Sequence, residues 1–507
     1  MREVERFKPF FLLVSIFFIA TCGIFYELLL SALSSYLVGD TVLHFSLVIG
    51  FFLSAMGLGA FLSRQIQRRL LQSFVMIELV IAGVGGWSGV ALFGGYLFFS
   101  NLLPLLLGLV VLLGTLIGME LPLLLRIFES FGPLRLTVSA VLTADYIGAL
   151  FASLLFPLFF LPEMGFIQSS FFFGGVNALV ALVNLYLFAS EIAVVWLKPV
   201  AWGVTCMLLV MIPFSSAFTG QFDKMLYEDE IIFSRQSSYQ RIVLTRHKER
   251  VNLYLNGNLQ FSSVDEYRYH EVLVHPAMGL LLNRQKVLIG GGGDGLALRE
   301  ILKYPEVERV VLVELDSAVV TLARDNPVMR QLNRAAFLDP RVEVVIQDAK
   351  RYIRESSELF NLIVLDFPDP STVELAQLFT KTLYMQLRYL LAHDGLLVVQ
   401  ATSPYYTPRA FWCIEETLRE AGYYTLPLHV YVPSFGEWGF IVASPYTRQS
   451  WKRLRKEMVQ TKFYRPDRIY SLSDFPGDLL PSEKVEANTL ETLQLLHYYR
   501  EDWKAWE

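Results

Sequence analysis

The stretch Lys286-Val-Leu-Ile-Gly-Gly-Gly-Gly-Asp-Gly-Leu-Ala-Leu298 decides how the C-terminal half of this chain is read. An apolar strand runs into a glycine loop, and the loop opens a helix. Gly290, Gly292 and Gly295 carry the G-x-G-x-x-G spacing, which lets the turn form and lets the backbone approach a ligand closely. That spacing alone is a weak signal. It gains weight from Glu314, which ends the next strand roughly twenty positions on, where a carboxylate can accept hydrogen bonds from both ribose hydroxyls.

Working outward, strands are expected at Lys286–Ile289, Val310–Glu314, Val342–Ile346, Leu362–Asp366 and Leu396–Ala401, with helical stretches between them. Strands at this spacing, apolar on both faces, imply a mostly parallel sheet covered by helices, a Rossmann-like α/β domain of the methyltransferase type. Leu428–Val432 and Trp438–Ala443 suit a terminal hairpin. Upstream, Arg241–Thr245 and Val251–Leu255, the latter ending at Asn256-Gly257, predict a small β-hairpin domain, and a helix over Val264–Leu282 should follow it.

The N-terminal half is of another kind. Hydrophobic residues make up 54% of the 507-residue chain and charged residues 18%, and the apolar excess falls before Gln221. Windows of about twenty apolar residues, the length that crosses a hydrocarbon core, recur at Phe10–Leu30, Val42–Leu62, Val75–Phe99, Leu102–Leu125, Val138–Leu161 and Phe166–Ala189. A shorter seventh, Pro199–Phe218, is bracketed by prolines. An all-α polytopic membrane bundle of six or seven spans is expected, with the lipid bilayer as its partner. Arg2, Arg6 and Lys8 precede the first span, and Arg64, Arg68, Arg69, Arg126, Arg135 and Lys198 follow the even-numbered ones, which puts the N-terminus in the cytoplasm. The expected domains are 1–218 in the membrane, 219–276 as the small β-domain, 277–446 as the Rossmann-like domain and 447–507 as a helical tail with a basic cluster at Lys452, Arg453, Arg455 and Lys456.

A net charge of −5 without a long basic stretch argues against nucleic acid as a partner. Cys22, Cys206 and Cys413 are scattered, so neither a metal site nor a disulfide framework is expected, and all three read as buried small hydrophobes.

Asp294 narrows the ligand. A carboxylate inside the loop repels the pyrophosphate of a dinucleotide, and it equally repels the carboxylate of S-adenosylmethionine. It suits a nucleoside whose tail is cationic and carries no carboxylate, which describes decarboxylated S-adenosylmethionine with its sulfonium and terminal ammonium.

Gly291-Gly-Gly-Asp-Gly295, Glu314-Leu-Asp316, Asp348-Ala349 and Asp366-Phe-Pro-Asp-Pro370 occur in the order and spacing of spermidine synthases, which this chain resembles from about Glu228 to Ser444. Leu255-Asn-Gly-Asn-Leu-Gln260 and Asp265-Glu-Tyr-Arg-Tyr-His-Glu271 look like that family's β-domain and gatekeeping segment. The membrane half is similar to that of membrane-bound bacterial members. The resemblance implies aminopropyl transfer from decarboxylated S-adenosylmethionine to a polyamine such as putrescine, releasing methylthioadenosine, with a co-substrate and no cofactor or metal. It implies that Gly291 and Gly293 belong to the nucleoside loop. Gln240 and Glu314 would hold the nucleoside, and Asp348 and Ala349 would meet the adenine. Tyr269 and His270 would line the polyamine channel, Asp294 would bind the aminopropyl ammonium, Asp366 would accept the proton and Asp369 would position the acceptor. A homo-oligomer is compatible with the resemblance.

The chemistry points the same way. The amine nucleophile, with a pKa near ~10, must lose a proton before it attacks, and a carboxylate in contact can accept it. Asp366 ends a central strand, at the edge where open α/β sheets bind ligands. The five carboxylates Asp294, Glu314, Asp348, Asp366 and Asp369 gather there without nearby basic partners, an arrangement suited to a dication plus a sulfonium. Asp348 and Asp369 also suit helix caps. The chain departs from the family pattern at Phe367-Pro368, at Ser371-Thr372-Val373, at Ala349 and at Phe435, where a tyrosine commonly touches the acceptor.

Glu27, Glu78, Glu120 and Asp145 lie within or near apolar spans, either as neutral hydrogen-bonded groups or as a polar path for a cation. Two other functions remain open: a methyltransferase-like enzyme on the same fold, and a polyamine transporter or sensor with a non-catalytic ligand domain. Since the donor is made in the cytoplasm, the catalytic domain is expected there. Pro199–Phe218 would then be re-entrant or interfacial, or an earlier span would not cross.

Overall fold

Strand Phe360–Asp366 is buried along its whole length except at Asp366, and that one opening fixes where chemistry can occur. The protein is described by a computed structural model covering residues 2–506 apart from 39–40, 100, 130, 132–133, 190, 193, 228, 447–458 and 482. The basic cluster from Lys452 to Lys456 lies outside the described residues. The chain divides into two units, Met1–Ile231 and Ile232–Glu507.

The first unit is helical: α1 (Arg2–Val38), α2 (Thr41–Ser63), α3 (Leu70–Phe98), α4 (Leu103–Phe128), α5 (Leu134–Leu155), α6 (Leu161–Leu187) and α7 (Leu197–Leu226). Among the described residues, six helical stretches are long and apolar enough to cross a membrane, one of them the 50-residue run Val138–Leu187. Within that run a π-turn at Phe156–Phe160 is followed by Gly165, whose φ of 68° and ψ of −176° break the helix between the two spans expected there. The seventh segment is longer than expected. α7 is one helix of 30 residues that continues through Pro213.

Small residues let these helices touch closely. A Cβ on Gly174 would lie 2.8 Å from the Cα of Gly86, and one on Gly118 would lie 2.1 Å from the carbonyl oxygen of Met56. Glu78 and Glu120 are buried, Glu27 and Asp145 half-buried. Cys22 and Cys413 are buried as expected, but Cys206 is exposed on α7, because it falls on the outward side of that helix.

The second unit holds two sheets. β1 (Glu230–Gln236), β2 (Arg241–His247), β3 (Arg250–Leu255) and β4 (Asn258–Ser262) form a four-stranded meander in sequence order. Asn256 and Gly257 turn β3 into β4 with φ of 50° and 81°, the left-handed pair that a two-residue hairpin needs. After β4 comes helix α8 (Glu266–Leu280).

β5 (Lys286–Gly291), β6 (Arg309–Glu314), β7 (Val342–Ile346), β8 (Phe360–Asp366), β9 (Leu391–Gln400), β10 (Tyr424–Val432) and β11 (Gly436–Ser444) form a seven-stranded sheet ordered β10-β11-β9-β8-β5-β6-β7. β5 through β9 pair in parallel, and β10 and β11 add an antiparallel edge. Alternate side chains feed opposite cores. Ile289, Leu312 and Val364 pack on one face, and Leu288, Val311 and Ile363 on the other. The chain order reverses between β5 and β8, and the crevice outside the carboxyl ends at such a switch point is where this architecture binds ligands.

The segment after residue 458, expected to be helical, is largely irregular until the helix Gln494–Trp503, with Pro466, Pro476 and Pro481 interrupting any longer helix.

Candidate active site

The glycine loop sits against the two strands that flank β5. Gly291 pairs in register with Asp366, and with φ of 79° a Cβ there would lie 2.3 Å from the Asp366 carbonyl oxygen. Gly292 N–H donates to that same carbonyl at 3.2 Å. A Cβ on Gly293 would lie 2.8 Å from Glu314 Oε2. Only glycine allows this approach, and it brings Glu314 and Asp366 to opposite sides of one loop. Asp294 projects from the loop itself, one oxygen accepting the Leu296 N–H at 2.8 Å where helix α9 (Leu296–Ile301) begins.

Helix α8 supplies the next layer. Tyr269 Oη donates to Asp366 Oδ1 at 2.6 Å. His270 Nδ1 lies 2.9 Å from the Glu266 carboxylate one turn back and 2.8 Å from the Glu266 carbonyl oxygen. Glu266 is gripped by both terminal nitrogens of Arg299, each at 2.9 Å. This chain of contacts corrects one expectation. The carboxylates are not without a basic neighbour: His270, backed by Glu266 and Arg299, brings positive charge to within electrostatic reach of Asp366 and Asp294.

Burial raises Asp366 to about 6; the His270 charge and the Tyr269 hydrogen bond draw it down, while Asp294 pushes it up. Burial raises Glu314 to about 7, with the backbone N–H groups of Asp316 and Leu315 opposing. Asp294 is also raised by burial. His270 behaves in the opposite way: burial would lower it, but the Glu266 carboxylate lifts it to about 9. Carboxylates easy to protonate beside an imidazolium that holds its proton form a site tuned for cations, since a bound ammonium would restore their ionised form.

The remaining expected residues fall at the same edge with specific partners. The Gln240 amide donates to Asp316 Oδ2 at 3.0 Å, beside the Ser237 hydroxyl at 2.6 Å. Asp316 caps the helix α10 (Ser317–Asp325) and so links the four-stranded sheet to the end of β6. Asp348 caps the helix Ala349–Glu355 through Lys350 N–H at 2.7 Å. Asp369 is no cap. It accepts hydrogen bonds from Gln400, Thr402 and Tyr499. Phe435 lies in the β10–β11 turn with its ring 5.3 Å from Trp438, whose ring is 6.4 Å from Tyr269.

Sequence reasoning missed Arg299, Gln400, Thr402 and Tyr499. Glu266 at the start of a segment already singled out was a usable signal for a buried ion pair, because a carboxylate is almost never fully buried unless it is paired. Nothing local marked Tyr499.

The spermine/spermidine synthase domain matches residues 266–453. A polyamine aminopropyltransferase of Leptospira interrogans is 42% identical over 97% of this chain and 98% of its own length. Polyamine aminopropyltransferase 2 of Ralstonia nicotianae is 44% identical over 97% and 98%, respectively. A solved spermidine synthase described as a complex with the transition-state analogue AdoDATO is 30% identical, covers 49% of this chain and 86% of its own, and has a TM-score of 0.45. With the Leptospira and Ralstonia relatives this similar over nearly the whole of both chains, the chain belongs to the polyamine aminopropyltransferases of the spermine/spermidine synthase family.

Proposed function

We propose that this enzyme transfers the aminopropyl group of decarboxylated S-adenosylmethionine to a polyamine, with putrescine as acceptor and spermidine and methylthioadenosine as products. The observation that supports this most is the meeting of Tyr269 with Asp366, at 2.6 Å, beside a loop that carries Asp294. In this reading the acceptor nitrogen attacks the carbon next to sulfur. The C–N bond forms as the C–S bond breaks, its electron pair leaves on sulfur as a neutral thioether, and the acceptor's proton passes to Asp366. A neutral leaving group needs no acid, so the reaction uses a co-substrate and calls for no cofactor or metal.

On the donor side, Glu314 takes the ribose hydroxyls, and Asp348 and Ala349 face the adenine. Gly291 and Gly293 let the nucleoside lie on the backbone. Gln240 contributes through Asp316 rather than directly. Asp294 takes the aminopropyl ammonium. Tyr269, His270 and Asp369 belong to the acceptor side, where Tyr269 orients the Asp366 carboxylate.

The experiment supplies the purified full-length chain with putrescine and either decarboxylated S-adenosylmethionine or S-adenosylmethionine. Spermidine and methylthioadenosine from the first donor alone are expected; a methylated product from the second would replace this reading with methyl transfer.

The first unit anchors the enzyme in the cell membrane in this reading, with the catalytic unit on the cytoplasmic side where the donor is made. An even number of crossings is then required. Because α7 is a continuous helix, one of the long apolar helices must lie in the interface. Alkaline phosphatase fused at Gln221 and after Glu507 should be inactive; activity at both positions would put the catalytic unit outside.

A further inference from the structure

Three side-chain donors converge on Asp369. Gln400 Nε2 donates to Oδ1 at 2.8 Å, and Thr402 Oγ1 and Tyr499 Oη each donate to Oδ2 at 3.1 Å. The first two stand at and just beyond the end of β9. Thr402 is held there with φ of 60°, a left-handed conformation that is costly for a β-branched residue and that survives where the surroundings enforce it.

The third donor comes from 130 residues away, on the helix Gln494–Trp503 and outside the stretch 266–453 that matches the synthase domain. That helix is fastened beside the site. Asp502 accepts from the Arg409 N–H at 3.0 Å and from its Nε at 2.6 Å. Trp503 stacks on Tyr406 with ring centroids 5.5 Å apart and planes 9° apart. Trp506 Nε1, just past the helix end, donates to the Tyr406 carbonyl at 3.1 Å. Tyr406 in turn packs on Gly436, where φ is 82° and a Cβ would lie 2.8 Å from its ring. Gly436 ends the turn that carries Phe435, so helix, loop and hairpin are joined around Asp369.

Asp369 is held only by neutral donors. Among the described residues no Lys or Arg pairs with it. Burial raises the Asp369 carboxyl, the three donors oppose that rise by stabilising its ionised form, and a cation that arrives from outside would stabilise that form further. A tyrosine that merely closed the core would not need its hydroxyl aimed at that oxygen, since a buried hydroxyl can be satisfied by backbone as well.

We propose that Tyr499 is a positioning residue for the acceptor amine: acting through Asp369, it fixes where the acceptor's ammonium sits, so the C-terminal helix helps to set acceptor choice. This rests on the reading of the site as an aminopropyltransferase with Asp369 on the acceptor side. Tyr499 supplies its hydroxyl from outside the synthase domain, whereas position 435 in the β10–β11 turn carries a phenylalanine.

The test is steady-state kinetics of the full-length chain with decarboxylated S-adenosylmethionine and putrescine. Tyr499→Phe should raise the acceptor KM about tenfold, the loss expected for one hydrogen bond to a charged group. The donor KM and the kcat at saturating acceptor should stay within about twofold. In an Asp369→Asn background the same substitution should add no further rise, because a residue acting through Asp369 has no effect once its partner is neutral. An unchanged acceptor KM in Tyr499→Phe, a parallel loss in donor KM and kcat, or a full additional effect in the Asp369→Asn background would each overturn the assignment. A wild-type chain that transfers to no amine would instead overturn the transferase reading beneath it.

Discussion

Tyr269 Oη and Asp366 Oδ1 are 2.6 Å apart, with the phenol donating to the carboxylate from one turn inside α8 and His270 as the next residue along. One helix therefore delivers both the hydrogen bond and the positive charge that oppose the burial of Asp366. Below pH about 6 Asp366 takes up a proton and loses its capacity as a base, so kcat/KM for the acceptor should fall on that acid limb. Tyr269→Phe removes a bond to the ionised form and His270→Gln removes a neighbouring positive charge. Both changes favour the protonated acid, so both should move the limb to higher pH. Tyr269→Phe should also lower kcat/KM about 10- to 100-fold at neutral pH. A limb that stays in place in both variants would detach Asp366 from the profile.

Asp294 should decide the donor. With one oxygen bound to the Leu296 N–H, its charge faces the crevice beside Asp366. The protein should bind decarboxylated S-adenosylmethionine more tightly than S-adenosylmethionine, and Asp294→Asn should narrow that preference. Calorimetric titration of both donors against both proteins checks it. Equal affinities in the wild type would remove the carboxylate-repulsion argument.

The Arg299–Glu266 pair should be a stability element as well as the support for His270. Against its burial, His270 and then Arg299 hold Glu266 at about 2, so the stabilising contribution is complete above the ordinary value of 4.5 and is lost as pH falls toward 2. Arg299→Met removes one of the two charged partners of the buried Glu266 and leaves His270 as the other; leaving a buried charge wholly unpaired typically costs about 3–5 kcal/mol, the upper bound for this change. The Tm of the catalytic unit should fall clearly at pH 7, and His270 should titrate lower if Glu266 itself becomes protonated. An unchanged Tm would mean that the pair is replaceable.

Much of this architecture was legible in the sequence, for local reasons. The glycine loop, the acidic end of β6 and the doubly buried strand at Phe360–Asp366 are each signalled by a few consecutive residues, as is the Asn256-Gly257 turn. Apolar windows likewise announced the helices of the first unit, and Gly165 fell between two of them. What could not be read depends on pairs far apart in the chain. Glu266 and Arg299 are separated by 33 residues, Asp369 and Gln400 by 31, and Asp369 and Tyr499 by 130. No periodicity links such partners, because tertiary packing alone brings them together. For the same reason the carboxylates looked unopposed until α8 was seen to carry His270 into their midst.

The most direct measurement is the rate of methylthioadenosine release from decarboxylated S-adenosylmethionine and putrescine, compared between the wild type and Asp366→Asn, with donor affinity titrated in the same samples. Asp366→Asn should bind the donor as the wild type does and turn over about 10²–10⁴-fold more slowly, the range for loss of a general base. Wild-type turnover in Asp366→Asn, or no methylthioadenosine from the wild type itself, would contradict aminopropyl transfer at this site.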